Sequence, residues 1–229
     1  MLDRGPNMGR SAQTDVGRDF ELKAGNTRKR RAILRILGLS MLFSGAALIT
    51  HIVMGVSLRA GLTVAAMFPV ATFAIAFRTM APAVRVKVLG DVKIGLLAGL
   101  IATVAYDYTK FVLAKLDPSP YNPFEVIRIF GTLIAGRSAS SLLIYTAGTA
   151  FHLLNGICFG VAYWLLLGRF RLWAAVVWGL FLEMFQLTLY PGWLHIRAYA
   201  EFAQISALSH LCYGTVLGLS CRWLYKRLV

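Results

Sequence analysis

The chain reads as an all-α, polytopic membrane protein with six transmembrane helices and one short amphipathic or re-entrant helix on the outer face. Three observations predict this. Six apolar stretches lie near residues 36–57, 60–77, 93–114, 144–167, 172–190 and 203–224. Each has about the ~20 residues that a helix needs to cross a ~30 Å hydrocarbon core, where the backbone must satisfy its own polar groups. Hydrophobic residues make up 58% of the chain and charged ones 15%, whereas a soluble domain carries about a quarter charged residues. The basic residues also lie mainly between and beside the apolar stretches, as membrane topology requires.

The segments follow in order. Residues 1–31 are polar, without apolar periodicity, and predict a disordered basic cytoplasmic arm. The cluster Arg28, Lys29, Arg30 and Arg31 runs into a full-length span, so the first span is expected to be an uncleaved anchor with its N-terminus inside. Residues 32–229 then form one transmembrane domain. With six spans the C-terminus also lies inside, which leaves 18 of the 24 Lys and Arg on the inner side and 6 outside. Tyr190, Trp193 and Tyr199 fall at outer boundaries, and Trp173, Trp223 and Tyr225 at inner ones.

Residues 124–135 are apolar but carry Glu125 and Arg128, and a dozen residues reach only ~18 Å as a helix. Pro118, Pro120 and Pro123 stop any helix from continuing into them. This segment is therefore expected to lie on the outer face or to dip in and return. Pro191–Gly192 is expected to form a turn in the loop 189–201, which with Arg137 and the 124–135 helix suits a lid over a cavity mouth.

Ionisable groups inside a membrane are costly and face the bundle interior or a water-filled cavity. Here they are His51, Asp107, His152, Glu183 and His210, with the neutral Gln186 one turn beyond Glu183. Counted from the outer helix ends at 1.5 Å per residue, all five lie about 9–12 Å below the outer surface. Three readings of this layer stay open. The side chains could hold neighbouring helices together. Histidine beside a desolvated carboxylate could handle protons. Alternatively, His152, His210 and Glu183 could bind a transition metal, or the two histidines a b-type haem. The short link at 168–171 predicts adjacent antiparallel helices, with Glu183 near His152. Lys110 is expected either to snorkel to the surface or to neutralise Asp107. His195 reads as a surface residue.

A small repeat accompanies this layer. His152, Gly156 and Gly160 match His210, Gly214 and Gly218 in spacing, with Gly148 and Ser206 one turn earlier. Spacings of four residues make stripes along a helix, and small residues there let transmembrane backbones approach closely. The three cysteines, Cys158, Cys212 and Cys221, form no C-x-x-C pair and read as packing residues.

These H-x-x-x-G-x-x-x-G helices, with Gly95–Leu–Leu–Ala–Gly99–Leu–Ile–Ala–Thr103 opening the third span, resemble those of uncharacterised bacterial inner-membrane proteins of the YagU-like kind. The resemblance implies a bacterial inner-membrane location. It carries no catalytic residues with it.

Three functions fit the sequence. One is an outward-facing polar pocket that binds or moves a small ligand, proton or metal ion. Another is a haem-binding subunit. The third is a non-catalytic subunit or assembly factor of a larger membrane complex. The net charge of +14 is accounted for by topology and anionic lipid headgroups, so no nucleic-acid partner is expected. Hydrolytic motifs such as H-E-x-x-H and G-x-S-x-G are absent.

Overall fold

Long runs of Leu, Ala, Ile, Val and Phe with few breakers fold as helices, and most of them end at a proline, glycine or polar cluster, although Pro69 and Pro191 lie inside helices. The computed structural model describes residues 31–117, 122–168 and 172–228. The arm expected over residues 1–31 therefore lies outside the described residues but for Arg31, as do the prolines at 118 and 120 and the basic residues Arg169 and Arg171. The described residues form helices and no strand. In chain order they are α1 (Arg31–Ser40), α2 (Phe43–Met54), α3 (Leu58–Thr79), α4 (Pro82–Leu116), α5 (Glu125–Ala135), α6 (Ser141–Leu167), α7 (Leu172–Leu194) and α8 (Tyr199–Leu228). Five of these, α3, α4, α6, α7 and α8, are long and apolar enough to cross a membrane. The pair α1–α2 makes a sixth if it counts as one span.

The first apolar stretch is thus not one straight helix. It bends by 42° between α1 and α2. Ser40 Oγ donates to the carbonyl of Leu37 (2.8 Å), and the amide of Met41 is shared between Leu37 and Gly38. A back-bonded serine within a turn of a glycine, here Ser40 and Gly38, is a common cause of such a bend.

The other departures concern helix ends. α4 begins at Pro82, well before the apolar stretch that starts near 93, and its 35 residues reach about 52 Å. Apolarity marks where a helix meets lipid; the helix itself starts where Ala81 is held extended before a first-turn proline. Pro191 does not form the expected turn. α7 runs through it to Leu194, because a proline near the end of a helix forfeits only one backbone bond. The chain turns instead at His195, the one non-glycine residue with positive φ (52°) among those described. The 124–135 segment forms α5, opened by Asn122 Oδ1 accepting from the Phe124 amide (3.0 Å) and by an Arg128–Glu125 ion pair in its first turn.

α4 is the central helix, with α6 on one side and α8 on the other. α7 lies along α8, α5 along α6, and α2 along α3. Despite the short link between them, α6 and α7 touch only sparsely, contrary to the expectation of close antiparallel packing. The glycines explain why. At Gly160 an added Cβ would run into Gly99 Cα, with the Gly95 carbonyl 2.8 Å away, so this face of α6 is committed to α4. At Gly214 it would run into the carbonyl of Ala175, so this face of α8 is committed to α7, as is that of Gly218. Gly156 also faces α4, through Thr103, whereas Gly148 faces the Ile127 carbonyl of α5. The expected stripe is therefore split between two partners. At 3.6 residues per turn a four-residue spacing gains about 40° each step, so Gly148 and Gly156 point about 80° apart.

Two apolar clusters hold the bundle. The larger joins α1, α3, α4, α6, α7 and α8 through residues such as Leu37, Met80, Ile94, Val161, Trp178 and Leu217. The smaller joins α2, α3, α5 and α6 through Ala47, Leu48, Leu58, Phe130 and Phe151, with Tyr190 and Trp193 of α7 against it.

Candidate functional site

The centre of the site is one face of α4. Tyr106 and Lys110, four residues apart, lie one above the other, and Lys110 Nζ donates to the Tyr106 hydroxyl at 2.8 Å. Lys110 is buried, only 4% exposed; it does not snorkel as one sequence reading had it. Asp107, one residue on from Tyr106, is rotated by about 100°. Its Oδ1 stands 2.8 Å from Nε2 of His152 on α6.

A second pair forms between α7 and α8. Nδ1 of His210 lies 2.6 Å from Oε2 of Glu183. The same carboxylate oxygen accepts from Ser206 Oγ (2.7 Å), and Gln186 Nε2 donates to that hydroxyl (2.8 Å). Glu183 with Gln186, and Ser206 with His210, sit three and four residues apart, so each helix presents its two polar groups on one face. The pairing differs from the sequence expectation, which set Glu183 beside His152. Here His152 takes Asp107 and Glu183 takes His210, because α7 packs on α8 rather than α6.

Tyr106 connects the two pairs. Its ring centroid is 6.0 Å from that of His152 and 4.9 Å, edge-on, from that of His210. Tyr213 stands edge-on to it at 6.5 Å and donates to the Gly156 carbonyl at 2.8 Å. Five of the six sequence candidates, Asp107, His152, Glu183, Gln186 and His210, therefore gather around one phenol. His51 does not join them. Its Nδ1 lies 2.8 Å from the carbonyl of Val56, closing the turn after α2, and its ring abuts Trp193.

Neither the metal set nor the haem pair assembles as expected. Among the described residues no three His, Cys, Asp or Glu side chains are grouped to hold a metal ion, which removes the set His152, His210 and Glu183. Each imidazole instead has a nitrogen against a carboxylate, and the Tyr106 ring packs against both of them.

A cavity of about 310 Å³ lies against this polar wall. Tyr106, Lys110, His152, Asn155, Gln186 and His210 supply its polar side, and Leu42, Ile49, Phe159, Phe181 and Phe185 its apolar side. It fills the space between α6 and α7, beneath α2, which accounts for their sparse contact. A second cavity of about 370 Å³ adjoins it, bounded by Asn122, Glu125, Arg197 and Phe202 among others. Lys110, Val126, Gln186 and Tyr190 line both. The α7–α8 loop and α5 thus border the upper chamber as the lid reading had it, while Arg137 is not part of its wall.

No protein-family model matches this chain, and neither does a curated protein or a solved structure.

Sequence reasoning missed Tyr106 as the hub, Asn155 as a wall residue and Ser206 as a carboxylate partner. The spacings Tyr106–Lys110 and Ser206–His210–Tyr213 were the available signals, since each marks one helix face. Two buried oxygens in this region, Asn155 Oδ1 and Glu183 Oε1, have no hydrogen-bond partner, an uncommon condition for buried polar atoms. At the far end of α4, Trp164 Nε1 donates to Asp91 Oδ1 (3.2 Å), a polar tie between α4 and α6 in which Asp91 falls just outside the expected span.

Proposed function

We propose that this chain is a six-span bacterial inner-membrane protein, with both termini cytoplasmic, that binds a small ligand in a cavity within the outer half of its bundle. The observation that carries the reading is the coincidence of the cavity with the polar groups. Polar side chains within apolar helices are expensive, yet five candidates gather at one place, and three of them (His152, Gln186 and His210) line the chamber. A mostly apolar pocket with a few convergent polar groups is the general form of a small-molecule site, and its volume lies at the lower end of the range for such sites. The carboxylates hold and orient the imidazoles, while the phenol, amide and amine groups remain at the wall to fix a ligand. The bilayer is the one partner this reading requires.

The test uses a neutral probe, dodecanol carrying a tail diazirine, on the full-length protein in lipid nanodiscs. Photolabelling should fall on the α7 peptide that includes Phe181 and Phe185. Ala46 lines the cavity and is exposed, so Ala46→Phe should fill the chamber without disturbing the core and remove that label. Labelling confined to the exposed face of α3, or unchanged in Ala46→Phe, would contradict the reading.

A further inference from the structure

Resting on that reading, we infer that the ligand is a single-chain amphiphile with an anionic headgroup, its tail in the lower chamber and its head between Lys110 and Arg197. Three observations carry this. The first is the division of chemistry between the chambers. The lower one offers Leu42, Ile49, Phe159, Phe181 and Phe185 to a hydrocarbon chain. The upper one, sharing Lys110 and Gln186 with it, opens onto Arg197.

The second is the balance of charge on the walls. Lys110 is a deeply buried ammonium that lines both chambers. Arg197 is exposed and makes no ion pair among the described residues. Among the described residues that line the upper chamber the one acid is Glu125, engaged by Arg128, whose Nε donates to it at 2.7 Å. Asp107 and Glu183 line neither chamber and are turned to their histidines. Among the described lining residues a cationic head would thus meet Lys110, Arg197 and only a carboxylate already held by Arg128, whereas an anionic one would be offered charge-assisted hydrogen bonds by Lys110 and Arg197.

The third is size and access. Chambers of about 310 and 370 Å³ suit one chain and a compact head rather than a two-chain lipid. α2 meets α6 and α7 at only a few residues, and Ala46 on it is exposed while lining the chamber, so the lower chamber borders the lipid side of α2. The shared head chemistry is a carboxylate or a phosphate monoester.

The experiment compares tail-diazirine forms of dodecanoate, dodecyl phosphate, dodecanol and dodecyltrimethylammonium in the same nanodiscs. At least one anionic chain should label the cavity peptide at about tenfold lower concentration than dodecanol, and the ammonium chain should be weakest. Whichever of carboxylate and phosphate labels better identifies the head. Arg197 is exposed, so Arg197→Gln should keep the fold and lower the anionic-to-neutral ratio several-fold. Lys110→Gln should bring that ratio near one, and Lys110→Arg should restore it. Equal labelling by all heads, or a preference unchanged by Arg197→Gln, would overturn the headgroup inference and leave the cavity reading standing. Failure of every chain to label the chamber would overturn both.

Discussion

Glu183 is the most deeply buried acid of the site, 3% exposed, and it meets His210 and Ser206 through one oxygen. Breaking a buried pair leaves its partner uncompensated, at a cost of about 3 kcal/mol. Asp107 is 29% exposed, and interhelical polar bonds at such positions contribute about 1 kcal/mol. Glu183→Leu should therefore lower the thermal midpoint of the detergent-solubilised protein clearly more than Asp107→Leu. Equal shifts would mean that His210 finds another partner. At this scale much of the site was readable from the sequence, because an acid or histidine inside an apolar run can only be tolerated where it has company. Which acid accompanies which histidine was not readable. Glu183 and His152 stood on consecutive helices, and only the choice of helix neighbours sends Glu183 to His210. His51 was misplaced for a related reason: its position near a helix end gave it a local carbonyl at Val56, a satisfaction that depth-counting does not register.

Among the elements, α5 shows how a short helix can be held without spanning. Its one buried side chain of size is Phe130, edge-on to Phe151 at a ring distance of 5.0 Å. Its backbone lies against α6 so closely that a Cβ at Gly148 would collide with the Ile127 carbonyl, and one at Gly131 with the Ile144 carbonyl. Backbone cannot step aside as a side chain can. Gly148→Leu should lift α5, and amide hydrogen exchange over Glu125–Ala135 should quicken about tenfold or more while α4 stays protected. Unchanged exchange in α5 would refute this account of its docking. The sequence identified this segment as too short to cross, from length and charge alone. Its apolar runs also marked the five helices long and apolar enough to cross a membrane and the bent α1–α2 pair, since lipid demands apolar runs. It did not locate helix ends, because Arg85, Lys87, Asp91 and Lys93 continue α4 beyond its apolar part. Nor did it show that the glycines of α6 and α8 serve different helices, for a small residue permits approach without naming a partner.

For the whole molecule, the arrangement follows from these commitments. α4 joins α6 and α8, α7 is carried outward on α8, and the gap left between α6 and α7 becomes the cavity under α2. Tyr106, Lys110, His152, Gln186 and His210 border that gap because their helices meet there, with Asp107 and Glu183 behind them on the histidines. Gln186 lines both chambers and so stands on the route between them. The most direct measurement replaces Cys158, Cys212 and Cys221 with alanine and introduces Gln186→Cys or, as a core control, Ala102→Cys, whose parent residue is fully buried. A membrane-impermeant thiol reagent is then added to the outside of sealed, right-side-out vesicles. An outward-opening cavity predicts that Gln186→Cys reacts and that Ala102→Cys does not; labelling of Gln186→Cys no faster than the control would contradict it.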